Sequence, residues 1–297
     1  MIIVKLSGGL GNQMFQYACG RALSNLYNVP LKLDHTFLED KLKPGITPRD
    51  YELSAFAIDK KITQTELREI GLHEATTAPY KTKFSFKRLV SGYKFYTQKD
   101  LRFNEIIFEQ GPNAYISGYF QNEKYFVDIA ALIRTDFTFI PTTSKENISL
   151  ANRIESSENA VSVHVRRGDF LFAGNEKVHF TCTPEYYMKA FSIIKSKIQN
   201  PEFFIFSDDD PQWIKDNLKF DAPFELIGNQ NQGKGYEDMR LMSLCKHQIT
   251  ANSSFSWWAA WLNNNPNKMV VTPKHWVSLP AMEIQLSDIV PSGWIRI

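Results

Sequence analysis

The stretch that decides the fold reads Ala160-Val161-Ser162-Val163-His164-Val165-Arg166-Arg167-Gly168-Asp169. Its two-residue period is that of a β-strand, with the valines on one face and Ser162, His164 and Arg166 on the other. Arg166 leaves the strand at its carboxyl end, and open α/β sheets bind their ligands outside that end. The stretch therefore predicts a parallel sheet with a charged binding site at its edge.

The rest of the chain alternates short apolar runs with helical patterns, which is typical of βαβ units. Further strands are expected at 2–6, 29–33, 114–119, 203–206, 224–227, 248–251 and 268–271, the last of which ends the sheet. Helices are expected at 12–27, 122–134, 183–198, 236–245 and 254–263, and another begins at Pro211. A polar stretch at 141–147 resembles a linker. We predict an α/β fold of two Rossmann-like domains, 1–150 and 151–297, that face each other across a cleft.

Composition and charge place the chain in the ordinary globular class. The net charge is +2 over 297 residues, so bulk charge gives no argument for binding nucleic acid. Cys19, Cys182 and Cys245 are far apart and odd in number, which disfavours a disulfide framework or a zinc cluster. No signal-peptide pattern follows Met1, and no run approaches the roughly 20 apolar residues that span a bilayer. We expect reduced thiols and a bacterial cytoplasmic location.

Arg166 is the first candidate functional residue. A guanidinium at a strand end suits a phosphate, because its planar fork donates two parallel hydrogen bonds and stays charged. The alternative is an arginine that pairs with Asp169 near the surface. His164 on the same strand face favours the binding site. A histidine metal ligand is the weaker interpretation, since no second ligand stands at metal spacing.

The acidic run Ser207-Asp208-Asp209-Asp210-Pro211 follows the strand expected at 203–206. An Asp-x-Asp pair can hold a divalent ion between two phosphates, as magnesium sites often do. It can also cap the next helix, or accept hydrogen bonds from a guanine or a ribose. We assign Asp210 to the cap and Asp209 to a nucleotide.

The segment Thr250-Ala251-Asn252-Ser253-Ser254-Phe255-Ser256-Trp257-Trp258 carries a strand end into a helix. Amides and hydroxyls at a helix start form an anion site, although serine is also an ordinary N-cap. The tryptophans are expected in the core.

The turn Ser7-Gly8-Gly9-Leu10-Gly11-Asn12-Gln13 joins the first strand to the first helix. Glycines let backbone approach a ligand closely, so Gly9 and Gly11 are candidate donor contacts. A simple tight turn explains the pattern equally well. The spacing matches neither a dinucleotide fingerprint nor a P-loop.

A basic stretch at 80–102 contains seven Lys and Arg residues against one acid, with aromatic residues between them. Such a stretch can meet an anionic membrane or a lipid-linked substrate, which gives a peripheral position at the inner face of the bacterial membrane. A solvated charged face is the alternative. No RNA-binding motif accompanies the stretch, so we expect no nucleic-acid partner.

Five segments follow one another across nearly the whole chain. They are Ser7-Gly8-Gly9-Leu10-Gly11-Asn12-Gln13-Met14-Phe15-Gln16-Tyr17-Ala18, Gly118-Tyr119-Phe120-Gln121-Asn122-Glu123-Lys124-Tyr125-Phe126, His164-Val165-Arg166-Arg167-Gly168-Asp169, Ser207-Asp208-Asp209 and Ala251-Asn252-Ser253-Ser254-Phe255-Ser256-Trp257-Trp258. Together, and in this order, they resemble the α-1,2-fucosyltransferases of glycosyltransferase family 11. The extra acid at Asp210 departs from the family pattern.

The resemblance implies a GT-B fold, GDP-fucose as donor, and inversion at the fucose carbon with no metal or other cofactor. The acceptor would be the 2-hydroxyl of a terminal β-galactoside, on an oligosaccharide or a lipid-linked glycan. One alternative is a GDP-fucose-dependent transferase with a different acceptor or linkage. Another is a non-catalytic protein that binds glycans or sugar nucleotides.

Residue roles follow from the same resemblance. Arg166 would hold the donor β-phosphate and stabilise the leaving GDP, and Asn12 would lie beside the fucose and the attacking hydroxyl. His164 and Asp209 would contact the guanosine. The phosphate-side wall would consist of Ser253, Ser254 and Phe255.

In-line attack by a hydroxyl is usually helped by a general base, and the sequence does not identify that base. Asp169, Glu176 and His179 are candidates because they follow Arg166 closely in sequence. Asp169 is taken as the catalytic candidate, with orientation of an arginine as its alternative role.

Overall fold

The computed structural model describes residues 1–39, 48–70, 92–168, 180–207, 211–219, 221–227 and 234–297. The chain divides into two units, Met1–Ile140 and Pro141–Ile297. The division falls at the start of the polar stretch and ten residues before the boundary expected at 150. Position 150 is the buried Leu150, which lies within the helix Lys145–Ser156 of the second unit.

The first unit is built on a parallel sheet. Its strands are β1 (Ile2–Lys5), β2 (Leu31–Asp34), β3 (Lys94–Thr97) and β4 (Ala114–Ser117). They lie in the order β2-β1-β4-β3, so the chain builds outward from β1 on both sides. The point where the order reverses, between β1 and β4, is where an open α/β sheet forms its ligand crevice. Strand β3 was not expected, because its alternation is weak and Lys94 and Thr97 are exposed.

The helices of the first unit are α1 (Leu10–Tyr27), α2 (Thr36–Glu39), α3 (Gln64–Glu69) and α4 (Ala130–Asp136). The described connections of this unit also contain two short 3-10 helices, Leu53–Phe56 and Glu105–Glu109.

The prediction of a single helix at 122–134 is wrong. The chain instead forms 3-10 helices at Glu123–Tyr125 and Val127–Ile129 before α4 begins. Phe126, between them, has φ −147°, which is not helical. Its side chain is buried, and its ring centroid lies 6.2 Å from that of Phe15. Burial of this ring therefore outweighs the helical pattern of the sequence.

The second unit contains a larger parallel sheet. Its strands are β5 (Ala160–Val165), β6 (Glu202–Ser207), β7 (Phe224–Ile227), β8 (His247–Ile249), β9 (Val270–Thr272) and β10 (Ile295–Arg296). The order β10-β9-β8-β5-β6-β7 is that of a Rossmann sheet, with its switch point between β5 and β8. The α/β architecture expected from the sequence, with a parallel Rossmann-like sheet in each half, is confirmed.

The strand expected to end the sheet is not the last one. Two further residues at the chain end form β10 and pair with β9, and Ile297 N–H donates to the Thr272 carbonyl at 3.0 Å. A two-residue strand has no alternation that a sequence pattern can reveal.

The helices of the second unit are α5 (Lys145–Ser156), α6 (Pro184–Lys197), α7 (Pro211–Asn217), α8 (Gly235–Leu244), α9 (Ser254–Leu262) and α10 (Pro280–Gln285). The start of α6 is as expected, with Thr183 as N-cap and Pro184 in the first turn. Its Tyr187, Phe191 and Ile194 are buried. Among the described residues, none of the helices combines the length and apolar character needed to cross a membrane.

Both faces of β5 are buried. Val161, Val163 and Val165 belong to the core cluster that includes the apolar face of α6. Ser162 and His164 alternate with them and are also buried, which confirms the strand period.

The tryptophans of α9 belong to the core, as expected. Trp257 and Trp258 are fully buried, and Trp257 Nε1–H donates to the Ile289 carbonyl at 2.8 Å. Trp261 and Trp294 pack on the Trp257 ring, with centroid distances of 6.4 and 5.5 Å. All three cysteines are buried free thiols.

Candidate active site

The crevice of the second unit lies at its switch point. Arg166 is the first residue after β5 and is half-buried. The neighbouring strand β8 leads through residues 250–253 into α9. The carboxyl ends of β5 and β8 are adjacent because the strands are parallel and paired. The topology therefore puts Arg166 and the start of α9 at the same edge of one sheet.

His164 and Phe255 contact each other across this switch point. Their ring centroids are 5.6 Å apart with a 40° tilt. His164 is 5% exposed, and its backbone carbonyl accepts a hydrogen bond from the Tyr187 hydroxyl at 3.1 Å. Phe255 is half-buried. The pair forms an aromatic wall of the kind against which a planar base can pack.

The N-terminus of α9 is favourable for an anion. Ser253 is its N-cap, and the Ser253 hydroxyl accepts from Phe255 N–H at 3.3 Å. No acidic residue occupies the first turn, so no carboxylate there opposes the positive end of the helix dipole. Ser254 is half-buried at the first helical position. Ser253 is thus an ordinary cap, and the candidate anion site consists of the other groups at the start of α9.

Arg167 differs from Arg166 in what surrounds it. Its guanidinium carbon lies 3.5 Å from the centroid of the Trp213 ring in α7. A guanidinium stacked on an indole at this distance forms a cation–π contact. Arg167 therefore packs against α7.

Asn252 was not singled out from the sequence, yet it holds the loops beside the crevice. It is 4% exposed, and its Nδ2 donates to the Phe180 and Trp276 carbonyls. Its Oδ1 accepts from the Cys182 thiol at 3.5 Å. The buried Asn252 amide therefore holds its own loop against the segments that contain Phe180 and Trp276.

Several predicted site residues lie outside the described part of the chain. They are Asp169, Glu176, His179, Asp208, Asp209 and Asp210, whose roles remain predictions. Among the residues that the structure does describe, no group of three or more His, Cys, Asp or Glu side chains is arranged to hold a metal ion.

The glycine turn of the first unit is fixed by two buried glutamines of α1. Gln16 accepts from Ser7 N–H at 2.9 Å and donates to the Ser7 hydroxyl at 3.0 Å. Gln13 donates to the Gly8 carbonyl at 2.9 Å and to the Asp50 carbonyl at 2.7 Å. Gly8 has φ +76°, and a Cβ at this position would lie 2.4 Å from Asn12 Nδ2. The turn therefore requires glycine at position 8 so that the Asn12 amide can pack against it.

Asn12 is oriented by a residue from the turn that follows β4. Gln121 Nε2 donates to Asn12 Oδ1 at 2.7 Å, which connects the turns that follow β1 and β4. The turn carrying Gln121 is held by Gln98, whose Oε1 accepts from the N–H groups of Tyr119 and Phe120 at 2.9 and 3.0 Å. Asn12 thus lies at the switch point of the first sheet with its amide oxygen directed at Gln121.

Glu52 is a site residue that the sequence analysis missed. Its carboxylate accepts a hydrogen bond from Leu10 N–H at the start of α1, and the positive charge of Arg49 acts on it. Burial raises the pKa of this carboxyl above its ordinary value, and the Arg49 charge and the Leu10 hydrogen bond offset only part of that effect. No motif marks Glu52, because its partners in α1 are remote in sequence.

Of the two candidate glycines, Gly9 lies beside Glu52. Gly9 is the N-cap of α1, and a Cβ there would be 3.7 Å from Glu52 Oε2. Gly11 is buried in the first turn. The side chains of Glu52 and Arg49 both lie at this helix start, whereas the first turn of α9 contains no acidic residue.

The basic stretch is described only from residue 92 onward. In that part Lys94 and Lys99 are exposed, and Arg102 forms an ion pair with Asp100 at 3.0 Å. This part fits the solvated-face alternative.

Comparison with known proteins assigns the family. The sequence matches the model described as Glycosyl transferase family 11 over residues 1–297. An Alpha-1,2-colitosyltransferase of Escherichia coli is 32% identical, and the alignment covers 100% of this chain and 99% of that protein. The O-antigen biosynthesis glycosyltransferase WbnK of Escherichia coli is 31% identical, and the alignment covers 91% of this chain and 93% of that protein. The human Galactoside alpha-(1,2)-fucosyltransferase 1 is 23% identical over 86% of this chain and 64% of that protein.

Proposed function

Because this chain belongs to glycosyltransferase family 11, we propose that it transfers L-fucose from GDP-fucose to the 2-hydroxyl of a terminal β-galactoside, with inversion at the fucose carbon. The observation that carries the proposal is the switch point of the second sheet. An arginine, an aromatic wall and a helix N-terminus without acidic residues meet there. These are the groups that a nucleoside diphosphate requires.

The second unit is proposed to bind the donor. Arg166 neutralises the β-phosphate, and Ser253 and Ser254 line the phosphate side at the start of α9. His164 and Phe255 form the wall for the guanosine, and Asp209 completes the nucleotide contacts. As the bond from the sugar to the diphosphate breaks, negative charge grows on the leaving GDP. A fixed guanidinium stabilises that charge, so no metal is needed for this step.

The first unit is proposed to bind the acceptor and the sugar end of the donor. Gly9 and Gly11 allow close approach at the turn, but the Glu52 carboxylate beside Gly9 disfavours a phosphate there. The neutral sugar is the part of the donor that fits. Asn12, held by Gln121, is suited to hydrogen-bond a sugar hydroxyl.

The galactoside acceptor is proposed from the family resemblance together with the human relative, whose name includes it. The chain spans only 64% of that relative's length. Cytoplasmic synthesis on a lipid-linked glycan, with peripheral contact at the inner face of a bacterial membrane, fits the O-antigen role in the name of WbnK. An oligosaccharide acceptor is the other form of the same substrate class.

A second donor is favoured by one specific observation. The relative that is 32% identical over the whole chain is named for transfer of colitose and not fucose. Colitose is L-fucose without its 3-hydroxyl group, so both sugars present the same carbon to the acceptor. The donor phosphate site proposed here serves either sugar.

The test is release of GDP by the purified chain. GDP-fucose and GDP-colitose are each supplied with lactose, a β1,3-linked galactosyl disaccharide, and a glucose-terminated control. GDP release from GDP-fucose with a galactose-terminated acceptor only, and a product linked α-1,2, is the expected result. GDP release from GDP-colitose alone would show that GDP-colitose, and not GDP-fucose, is the donor. Binding of GDP without turnover on any acceptor would favour a non-catalytic sugar-nucleotide-binding protein.

A further inference from the structure

Both the backbone and the side chain of Glu52 are held by α1. Its backbone N–H donates to Gln13 Oε1 at 3.0 Å, and Gln13 is fully buried in α1. Its side chain reaches the first turn of the same helix and accepts from Leu10 N–H. A Cβ at Gly9 would lie 3.7 Å from Oε2, which is ordinary van der Waals contact, so the carboxylate packs directly against the start of α1.

A structural role alone explains only part of this arrangement. The N-cap of α1 is Gly9, which supplies no side-chain hydrogen bond, so Glu52 provides an acceptor that the helix lacks. A serine or an asparagine at position 9 would provide the same acceptor without burying a carboxyl group. One hydrogen bond to Leu10 also uses only part of the accepting capacity of a carboxylate, which has about four lone-pair sites.

The location connects Glu52 to Asn12. Leu10 and Asn12 belong to the first turn of α1, at the carboxyl end of β1. Asn12 is the residue proposed to lie beside the sugar and the attacking hydroxyl. If the proposed function holds, the Glu52 carboxylate therefore lies at the same helix start as the residue beside the attacking hydroxyl.

We propose, resting on the proposed function, that Glu52 is the general base that removes the proton from the acceptor hydroxyl. The acceptor oxygen forms a bond to the anomeric carbon of the sugar as the bond from that carbon to the phosphate oxygen breaks. The electron pair of the broken bond leaves with GDP. The proton of the hydroxyl passes to the Glu52 carboxylate, so charge and atoms balance.

The electrostatic surroundings suit this step. The charged groups that act on Glu52 are Arg49 and Asp50 of its own segment, and the first turn of α1 contributes no acidic side chain. Burial raises the pKa of Glu52 above the ordinary glutamate value, which brings it nearer to the working pH of a general base. Because a base acts when deprotonated, activity should fall as the pH drops through this raised pKa.

The test compares pH profiles of kcat/KM for the wild type, Glu52→Gln and Glu52→Asp. Glutamine keeps an oxygen for Leu10 N–H but cannot take a proton. We expect Glu52→Gln to lower kcat about a hundredfold or more and to lose the acidic limb. GDP affinity and melting temperature should stay at wild-type values. Glu52→Asp should retain part of the activity and the limb, moved to lower pH because aspartate is the stronger acid.

The matched control is Glu66→Gln. Glu66 also accepts a backbone hydrogen bond at a helix start, from Thr63 N–H at 2.7 Å, but it belongs to α3. It should leave the profile unchanged. Near-normal turnover in Glu52→Gln, or reduced turnover with the acidic limb intact, would overturn the assignment of the base alone. A wild type that turns over no sugar nucleotide would instead reject the proposed function, and this inference with it.

Discussion

Replacing Arg166 by lysine is expected to reduce turnover about a hundredfold, which corresponds to about 2.7 kcal/mol of transition-state stabilisation. Arg166 is half-buried at the end of β5, where the sheet topology puts it next to the start of α9. Lysine keeps the charge but loses the planar fork that binds two phosphate oxygens together. The side chain lies outside the core clusters, so the melting temperature should not change.

Arg167 is the matched control because it is the same residue type one position further on. Its guanidinium lies 3.5 Å over the Trp213 ring, a contact of about 1 kcal/mol at a half-exposed site. Arg167→Ala should therefore lower the melting temperature by about 2–4 °C and leave kcat near normal. Steady-state GDP release and thermal melts on both variants measure the two effects. Near-normal kcat in Arg166→Lys, or a fall in its melting temperature large enough to explain lost turnover, would refute the reasoning.

Three further results are expected. Gly8→Ala should reduce kcat at least tenfold, because the new Cβ would lie 2.4 Å from Asn12 Nδ2. Gly111→Ala has the same left-handed backbone, at φ +82°, but open space around it, so it should keep its kcat. The left-handed backbone should cost each variant about 1 kcal/mol of stability. Activity should survive EDTA, and loss restored only by magnesium or manganese would make Asp208 and Asp210 candidate ligands. Exchange of residues 35–110 with those of a relative should change acceptor preference but not GDP affinity; a sharp fall in GDP affinity would show that the two roles are wrongly divided.

The strands could be predicted because their signals are local. The alternation in β5 identifies its two faces, and parallel strands that follow one another in sequence bring their carboxyl ends to one edge. His164 and Arg166 could thus be assigned to one face and one strand end, and the family resemblance adds Phe255 to them. His164 and Phe255 are in contact, and the roles of all three residues remain predictions.

The contacts around the glycine turn of the first unit could not be predicted in the same way. The carboxylate of Glu52 and the amide of Gln121 reach α1 from distant points of the chain, and no spacing rule links them to it. The Phe126 ring likewise interrupts a helical pattern because of a packing partner, Phe15, in another element. Such features depend on tertiary contacts, which override local propensity.

The tryptophan cluster around α9 has a consequence for spectroscopy. All six tryptophans of the chain lie between Trp213 and Trp294, and therefore in the second unit alone. Selective excitation of indole emission consequently follows the unfolding of that unit, while circular dichroism follows both. Two transitions in circular dichroism and one in indole emission would give the stabilities of the two units separately, without a label. Trp213 under Arg167 also provides an emission probe near the proposed nucleotide site, in a protein whose other unit is dark at that wavelength.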